Sequence, residues 1–223
     1  MIKAVIFDMY ETLITLYNSP NYFGAHMAKD MGLEESVFLN DWSPTEEKRS
    51  NGAVTLEEVV EQIMRKHNCY REDIFQKVVQ RRIESKRVCF EHLDPGIIPM
   101  LSGLKNCGIK IGLISNCFSE EAELIRKSVL FPYFDAPFMS YEQGVIKPNK
   151  EIFYRCMDKL EVNAEECIYI GDGGSCELQV AEELGMMALQ AAWYLKEGTK
   201  QPTKRMDEFI QLDSPCDVFR FLT

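Results

Sequence analysis

Residues Ala4-Val5-Ile6-Phe7-Asp8 constrain this chain more than any other stretch, because four consecutive apolar residues run straight into a carboxylate. A short apolar run of this kind reads as a strand buried on both faces, the habit of parallel sheets. Burying a carboxylate at the end of such a strand is costly without a partner. In open α/β sheets the carboxyl ends of the strands are also where ligands bind. Asp8 therefore either caps the turn that follows or stands ready for chemistry, and the rest of the chain decides between the two.

Beyond Leu13 the pattern changes. From about residue 16 to residue 90 no convincing strand occurs. Ser19-Pro20 reads as an N-cap with proline at the first helical position. Ser43-Pro44-Thr45-Glu46 and Thr55-Leu56-Glu57-Glu58 both fit capping boxes. Leu56, Val59, Val60, Ile63 and Met64 then follow helical spacing, as do Ile74, Phe75, Val78, Val79 and Ile83. The expectation is about four helices inserted after the first strand. Asp94-Pro95-Gly96 punctuates the return.

From there strands and helices alternate. A helix is expected from Ile97 to Cys107, with Gly108 at its C′ position. Apolar strands are expected at Lys110 to Ser115, Pro137 to Ser140, Cys167 to Ile170 and Met186 to Ala191. Helices are expected after Ser119, after Lys147-Pro148-Asn149, after Ser175 and from Asp213 to Phe221. Glu120 and Glu121 fall in a first helical turn, where they complement the macrodipole. This alternation implies a Rossmann-like parallel sheet with helices on both faces. The expected division is a core of residues 1–15 and 94–223, with a small all-helical cap of residues 16–93.

Three of the strands end in polar residues: Asp8, Ser115-Asn116 and Gly171-Asp172. In a parallel sheet those ends share one edge. Lys147, just before a helix that follows a strand, reaches the same crevice, and Glu177 lies in the first turn after Asp172. Three carboxylates this close repel one another unless something positive sits among them. A divalent cation with oxygen ligands is the simplest solution, and magnesium suits one or two carboxylates plus water and a substrate phosphate. Lys147 supplies a second positive point.

The net charge of −10 opposes binding to a nucleic-acid backbone or an anionic membrane surface. No apolar run approaches the ~20 residues that a membrane span needs. Eight cysteines are scattered without a Cys-x-x-Cys pair, and Met1-Ile2-Lys3 leads directly into the strand with no signal-peptide pattern. A reduced, cytoplasmic protein acting on a small molecule is therefore expected. Arg81, Arg82 and Arg87, and likewise Arg49, read as solvated helix faces. Phe38 and Trp42 read as packing within the insert. His26, His67 and His92 are scattered and do not read as ligands.

These residues resemble the haloacid dehalogenase superfamily of hydrolases, in the branch with a helical cap after the first motif. Asp8 to Leu13 is similar to the first motif and Ser115-Asn116 to the second. Lys147-Pro148 is similar to the third, and Gly171-Asp172 through Glu177 to the fourth. The resemblance implies that Asp8 is a nucleophile and that Ser115 and Lys147 hold the transferred group. Thr12 and Asn116 would join them as substrate contacts. It further implies Mg²⁺ held by Asp8, by Asp172, by Glu177 directly or through water, and by the backbone carbonyl of Tyr10. The implied activity is a phosphatase acting on a small phosphorylated metabolite through an aspartyl-phosphate.

Two departures from the family pattern stand out. Its phosphatases usually carry a second aspartate two residues after the nucleophile, as general acid and base, where this chain has Tyr10. The glycine that usually follows is Glu11. Tyrosine at that position is the pattern of the 2-haloacid dehalogenases, whose halide leaves without a proton. Those enzymes look metal-free and lack an acidic fourth motif, whereas Asp172 and Glu177 are present here. A dehalogenase-type hydrolase and a non-catalytic relative that binds a phosphorylated ligand or a protein stand as alternatives.

Overall fold

The structure, a computed structural model, describes residues 1–17, 19–195 and 203–222. Six parallel strands form one sheet: β1 (Ala4–Phe7), β2 (Lys110–Ser115), β3 (Ala136–Met139), β4 (Cys167–Gly171), β5 (Met187–Ala191) and β6 (Ile210–Leu212). Their order is β3-β2-β1-β4-β5-β6, so β1 lies between β2 and β4. Phe7 stands opposite Leu113 on one side and Ile170 on the other. That register brings the carboxyl ends of β1, β2 and β4 to one edge.

Alternation along β1 feeds two cores. Val5 and Phe7 join Ile111, Leu113, Ile168 and Ile170 on one face, and Ala4 and Ile6 join Cys167 and Tyr169 on the other. All these side chains are buried, which is why the strands read as near-continuous apolar runs.

Between β1 and β2 the chain inserts α1 (Gly24–Met31), α2 (Glu35–Trp42), α3 (Glu46–Ser50), α4 (Leu56–Lys66) and α5 (Glu72–Arg87). The insert has a core of its own in which Met27, Phe38, Leu56, Val60, Met64 and Val78 are buried together. Thr55 caps α4 with the reciprocal bonds expected of its sequence, its hydroxyl accepting from Glu58 N and Glu58 Oε2 accepting from Thr55 N. The remaining helices are α6 (Ile97–Asn106), α7 (Ser119–Lys127), α8 (Ser140–Gln143), α9 (Lys150–Leu160) and α10 (Glu177–Glu183). Helices α6 and α7 cover the first face of the sheet, and α9 and α10 the second.

Several local expectations are corrected. The insert holds five helices among the described residues rather than about four. Ser19-Pro20 does not start a helix: α1 begins at Gly24 because Tyr22 is drawn into the insert core and its carbonyl accepts from Arg82. Ser43-Pro44-Thr45 forms a short 3-10 turn after α2, and the Thr45 hydroxyl donates to the Trp42 carbonyl instead of capping α3. Ser119 is the first residue of α7 rather than its cap, and its hydroxyl accepts from Leu56 N of the insert.

Ser175 does not cap α10 either; the Glu177 carboxylate takes the Gly173 and Ser175 N–H groups itself. The helix expected over Asp213–Phe221 is a 3-10 turn from Pro215 to Phe221. Just before it, Ile210–Leu212 pairs with β5 as an edge strand, Ile210 opposite Leu189.

Candidate active site

The site grows from the end of β1. Asp8 N continues the ladder by donating to Ile170 O at 2.9 Å, which fixes the Asp8 backbone beside β4. Its carboxylate oxygen Oδ1 accepts from Met9 N at 2.7 Å and from Lys147 Nζ at 2.8 Å. Lys147 Nζ also donates to the Tyr169 hydroxyl at 3.3 Å. Both Asp8 and Lys147 are buried.

Lys147 lies on the connection into α9, and its placement is the work of β2. The Asn116 side chain accepts from Lys147 N at 2.8 Å and donates to Lys147 O at 3.0 Å. Asn116 thus grips the backbone that carries the ammonium group. Ser115 is fully buried at the end of β2, with only a long 3.5 Å contact from its hydroxyl to Asn116 O.

At the end of β4, Asp172 and Glu177 close the group. Oxygen atoms of Asp8, Asp172 and Glu177 all lie within 4.8 Å of one another, and all three residues are buried. Glu177 Oε1 accepts from Gly173 N at 2.8 Å and Oε2 from Ser175 N at 2.7 Å. Asp172 Oδ1 accepts from Gly174 N at 3.0 Å.

Burial raises the Asp8 carboxyl to about 7 despite the opposing attraction of Lys147, and the charges of Glu177 and Asp172 add to the rise. Burial also raises Asp172, with Glu177 next in importance. For Lys147 burial alone acts downward, but Asp8, Glu177 and Asp172 together carry it above its ordinary value. Among the described residues, three buried carboxylates with one ammonium leave an excess of negative charge, and hard oxygen donors at this spacing fit a small divalent cation.

The turn after Asp8 is wound tightly, with Leu13 N and Ile14 N both donating to Met9 O. Glu11 sits in the left-handed region at φ 57°, the conformation for which glycine is the usual residue. Its carboxylate compensates by accepting from the Thr15 hydroxyl at 2.6 Å and from Leu16 N at 2.8 Å. Thr12 is fully buried; its carbonyl accepts from the Trp193 indole at 2.8 Å, and its hydroxyl has no hydrogen-bond partner among the described residues. The Tyr10 ring turns toward the insert, with Lys86 Nζ 5.4 Å from its centroid. Burial, then the nearby Glu121 charge, raises the Tyr10 phenol well above its ordinary value.

A match to the family model of haloacid dehalogenase-like hydrolases runs over residues 2–185, a range that takes in Asp8, Ser115, Asn116, Lys147, Asp172 and Glu177. The chain belongs to the haloacid dehalogenase-like hydrolases. A curated relative, glyceraldehyde 3-phosphate phosphatase of Methanocaldococcus jannaschii, is 27% identical over 205 residues, covering 85% of each chain. Among solved structures, an HAD phosphatase from Thermococcus onnurineus superposes with TM-score 0.66 at 17% identity, over 99% of this chain and 98% of that one. A 2-haloacid dehalogenase from Pseudomonas syringae pv. Tomato DC3000 superposes with TM-score 0.65 at 17% identity, over 99% and 97%. These two share the fold of this hydrolase.

Where the insert meets the core of this haloacid dehalogenase-like hydrolase, two sequence expectations fail. Arg82 is buried rather than solvated: its Nε lies 3.1 Å from Glu120 Oε1, and Lys86 Nζ lies 2.8 Å from Glu121 Oε1. Arg49 is buried too, its guanidinium 3.8 Å from the Trp42 ring centroid and 4.2 Å from that of Phe118. Burial, then the neighbouring Arg82 charge, lowers Arg49 to about 10. Arg81 and Arg87 do lie on the outside, paired with Asp30 and with Glu84 and Glu91.

The Tyr169 hydroxyl joins the site through Lys147, a contact that residue spacing does not announce. Tyr169 was hidden in an apolar strand, where its hydroxyl was the only signal. Among the described residues no helix is long and apolar enough to cross a membrane.

Proposed function

We propose that this chain is a Mg²⁺-dependent phosphatase that acts on a small phosphorylated metabolite through an aspartyl-phosphate at Asp8. The observation that carries this reading is the Lys147–Asp8 contact inside a buried group of three carboxylates. Asp8 Oδ1 is held by two donors, Met9 N and Lys147 Nζ, which orients the carboxylate for attack on phosphorus. The Asp8–phosphorus bond forms as the bond to the leaving oxygen breaks, and water then cleaves the acyl phosphate to restore Asp8. Lys147 and the Ser115 hydroxyl hold the phosphoryl oxygens. Asp8, Asp172 and Glu177, with the Tyr10 carbonyl, would hold Mg²⁺, which would supply charge stabilisation of the transferring phosphoryl group.

The phosphatase name of the methanogen relative supports the reaction class. The insert, residues 16–93, serves as the cap that shapes the substrate pocket. The eight free cysteines support a reducing, cytoplasmic setting.

Tyr10 sets the limit on the leaving group. Its ring is turned toward Lys86 and its phenol is raised well above its ordinary value, so at neutral pH it gives up its proton to a leaving group reluctantly and cannot serve as a base. Leaving groups that need little protonation are therefore favoured. Tyr10 also favours the second reading, dehalogenation of a 2-haloacid, which the three clustered carboxylates oppose.

A panel of p-nitrophenyl phosphate, acetyl phosphate, sugar phosphates and 2-haloacids, assayed with Mg²⁺ and with EDTA, tests the proposal. Phosphate release that needs Mg²⁺ is expected, fastest on the first two. Halide release in EDTA would overturn it in favour of dehalogenation. Turnover of neither class would leave a binding protein.

A further inference from the structure

Asp172 is gripped on both carboxylate oxygens, and the two grips come from different parts of the chain. Gly174 N, on the loop that follows β4, holds Oδ1 at 3.0 Å. The Thr203 hydroxyl, 31 residues further along, donates to Oδ2 at 2.6 Å. A carboxylate turns readily about its last side-chain torsion, which is broad and roughly two-fold. Donors on both oxygens fix its plane.

One buried amide brings Thr203 there. Gln190, near the end of β5, is fully buried. Its Nε2 donates to Asp172 O at 2.9 Å and to Lys204 O at 2.8 Å, while its Oε1 accepts from Met206 N at 2.9 Å. A single side chain thus ties the backbone of Asp172 to the segment 203–206. Packing reinforces the tie: Met206 Sδ would lie 2.6 Å from a Cβ at Gly173, whose φ of 97° also calls for glycine.

We propose that Thr203 is a positioning residue for Asp172, set in place by Gln190, and that the segment 203–206 thereby tunes the affinity of the acidic cluster for a divalent cation. This rests on the reading of Asp172 as a metal-holding group. Partners that orient a ligating carboxylate typically change metal affinity by 10–100-fold when removed. Thr203 touches neither Asp8 nor Lys147 in any hydrogen bond or ion pair among the described residues, so its effect passes through Asp172.

The test is calorimetric titration of the full chain with MgCl2, alongside unfolding temperatures in EDTA. T203V removes the hydroxyl and keeps the shape; T203S keeps the hydroxyl. T203V is expected to weaken Mg²⁺ binding about ten-fold, T203S to restore it, and both to unfold in EDTA with wild type. Wild-type Mg²⁺ affinity in T203V, with binding lost in D172N, would overturn the positioning role and leave the metal reading standing. Wild-type affinity in D172N would overturn both. Should T203V unfold early in EDTA, rescue of binding by T203S with T203A still weak supports the proposal. Equal binding by T203S and T203A overturns it.

Discussion

Lys147 Nζ lies 2.8 Å from Asp8 Oδ1, and this buried contact brings an ammonium group to an edge that also holds Asp172 and Glu177. Removing one partner of a buried ion pair leaves the other uncompensated, at a typical cost of about 3–5 kcal/mol. Lys147→Met is therefore expected to lower stability by about that amount in EDTA, measured by denaturant unfolding. Added Mg²⁺ should recover much of the loss. Hydrolysis of p-nitrophenyl phosphate should fall sharply even when the variant is folded. Unchanged stability in EDTA would mean that the carboxylates shed their charge by taking up protons.

The acidic edge predicts a pH dependence in the metal-free protein. Asp8 is raised from its ordinary value to about 7, chiefly by burial. Between its unfolded value and about 7 the native state therefore holds a proton that the unfolded state has lost. Stability is full below that window and falls as pH rises through it. In EDTA the unfolding temperature should drop from pH 5 to pH 8. A cation must displace the Asp8 proton at pH 6 but not at pH 8, so the rise in unfolding temperature on adding Mg²⁺ should be larger at pH 8. A smaller rise at pH 8 would contradict the placement of Asp8 in the cation site.

Tyr10→Asp tests what limits the reaction. General acid–base help is typically worth about 10²–10⁴-fold, and it matters most for alkoxide leaving groups. The variant is expected to gain on sugar phosphates relative to p-nitrophenyl phosphate, read from the ratio of kcat/KM values. An unchanged ratio would show that proton transfer to the leaving group is not limiting.

Much of this architecture was legible in residue pattern, and the reasons are physical. Strands buried on both faces must be apolar along most of their length, so β1, β2 and β4 announce themselves, and each ends in the polar residues that form the site. The Asn116 side chain holds the Lys147 backbone, a pairing across 31 residues that spacing does not encode. Arg49 and Arg82 read as solvated because charge on a helix usually is. Their burial depends on Glu120, Glu121, Trp42 and Phe118 meeting in three dimensions. Thr203 had no signal at all, since a lone hydroxyl in a loop becomes meaningful only when folding delivers it to Asp172.

The buried charges between insert and core yield the last prediction. Arg82 and Lys86 on α5 face Glu120 and Glu121 on α7, with every side chain almost wholly enclosed. Burial and then Glu121 raise Glu120, whereas Lys86 and Arg82 together hold Glu121 below its ordinary value against burial. Two adjacent buried carboxylates are tolerable only while both cations are present. Arg82→Met should therefore destabilise the protein by about 3–5 kcal/mol in denaturant unfolding. Arg82→Met combined with Glu120→Gln removes one charge of each sign and should recover part of that loss, giving a coupling energy by double-mutant cycle. Because the pair joins the insert to the core beside Tyr10, Arg82→Met should also expose the α4–α5 face to limited proteolysis. Additive effects of the two substitutions, with unchanged proteolysis, would show that this pair does not hold the insert against the core.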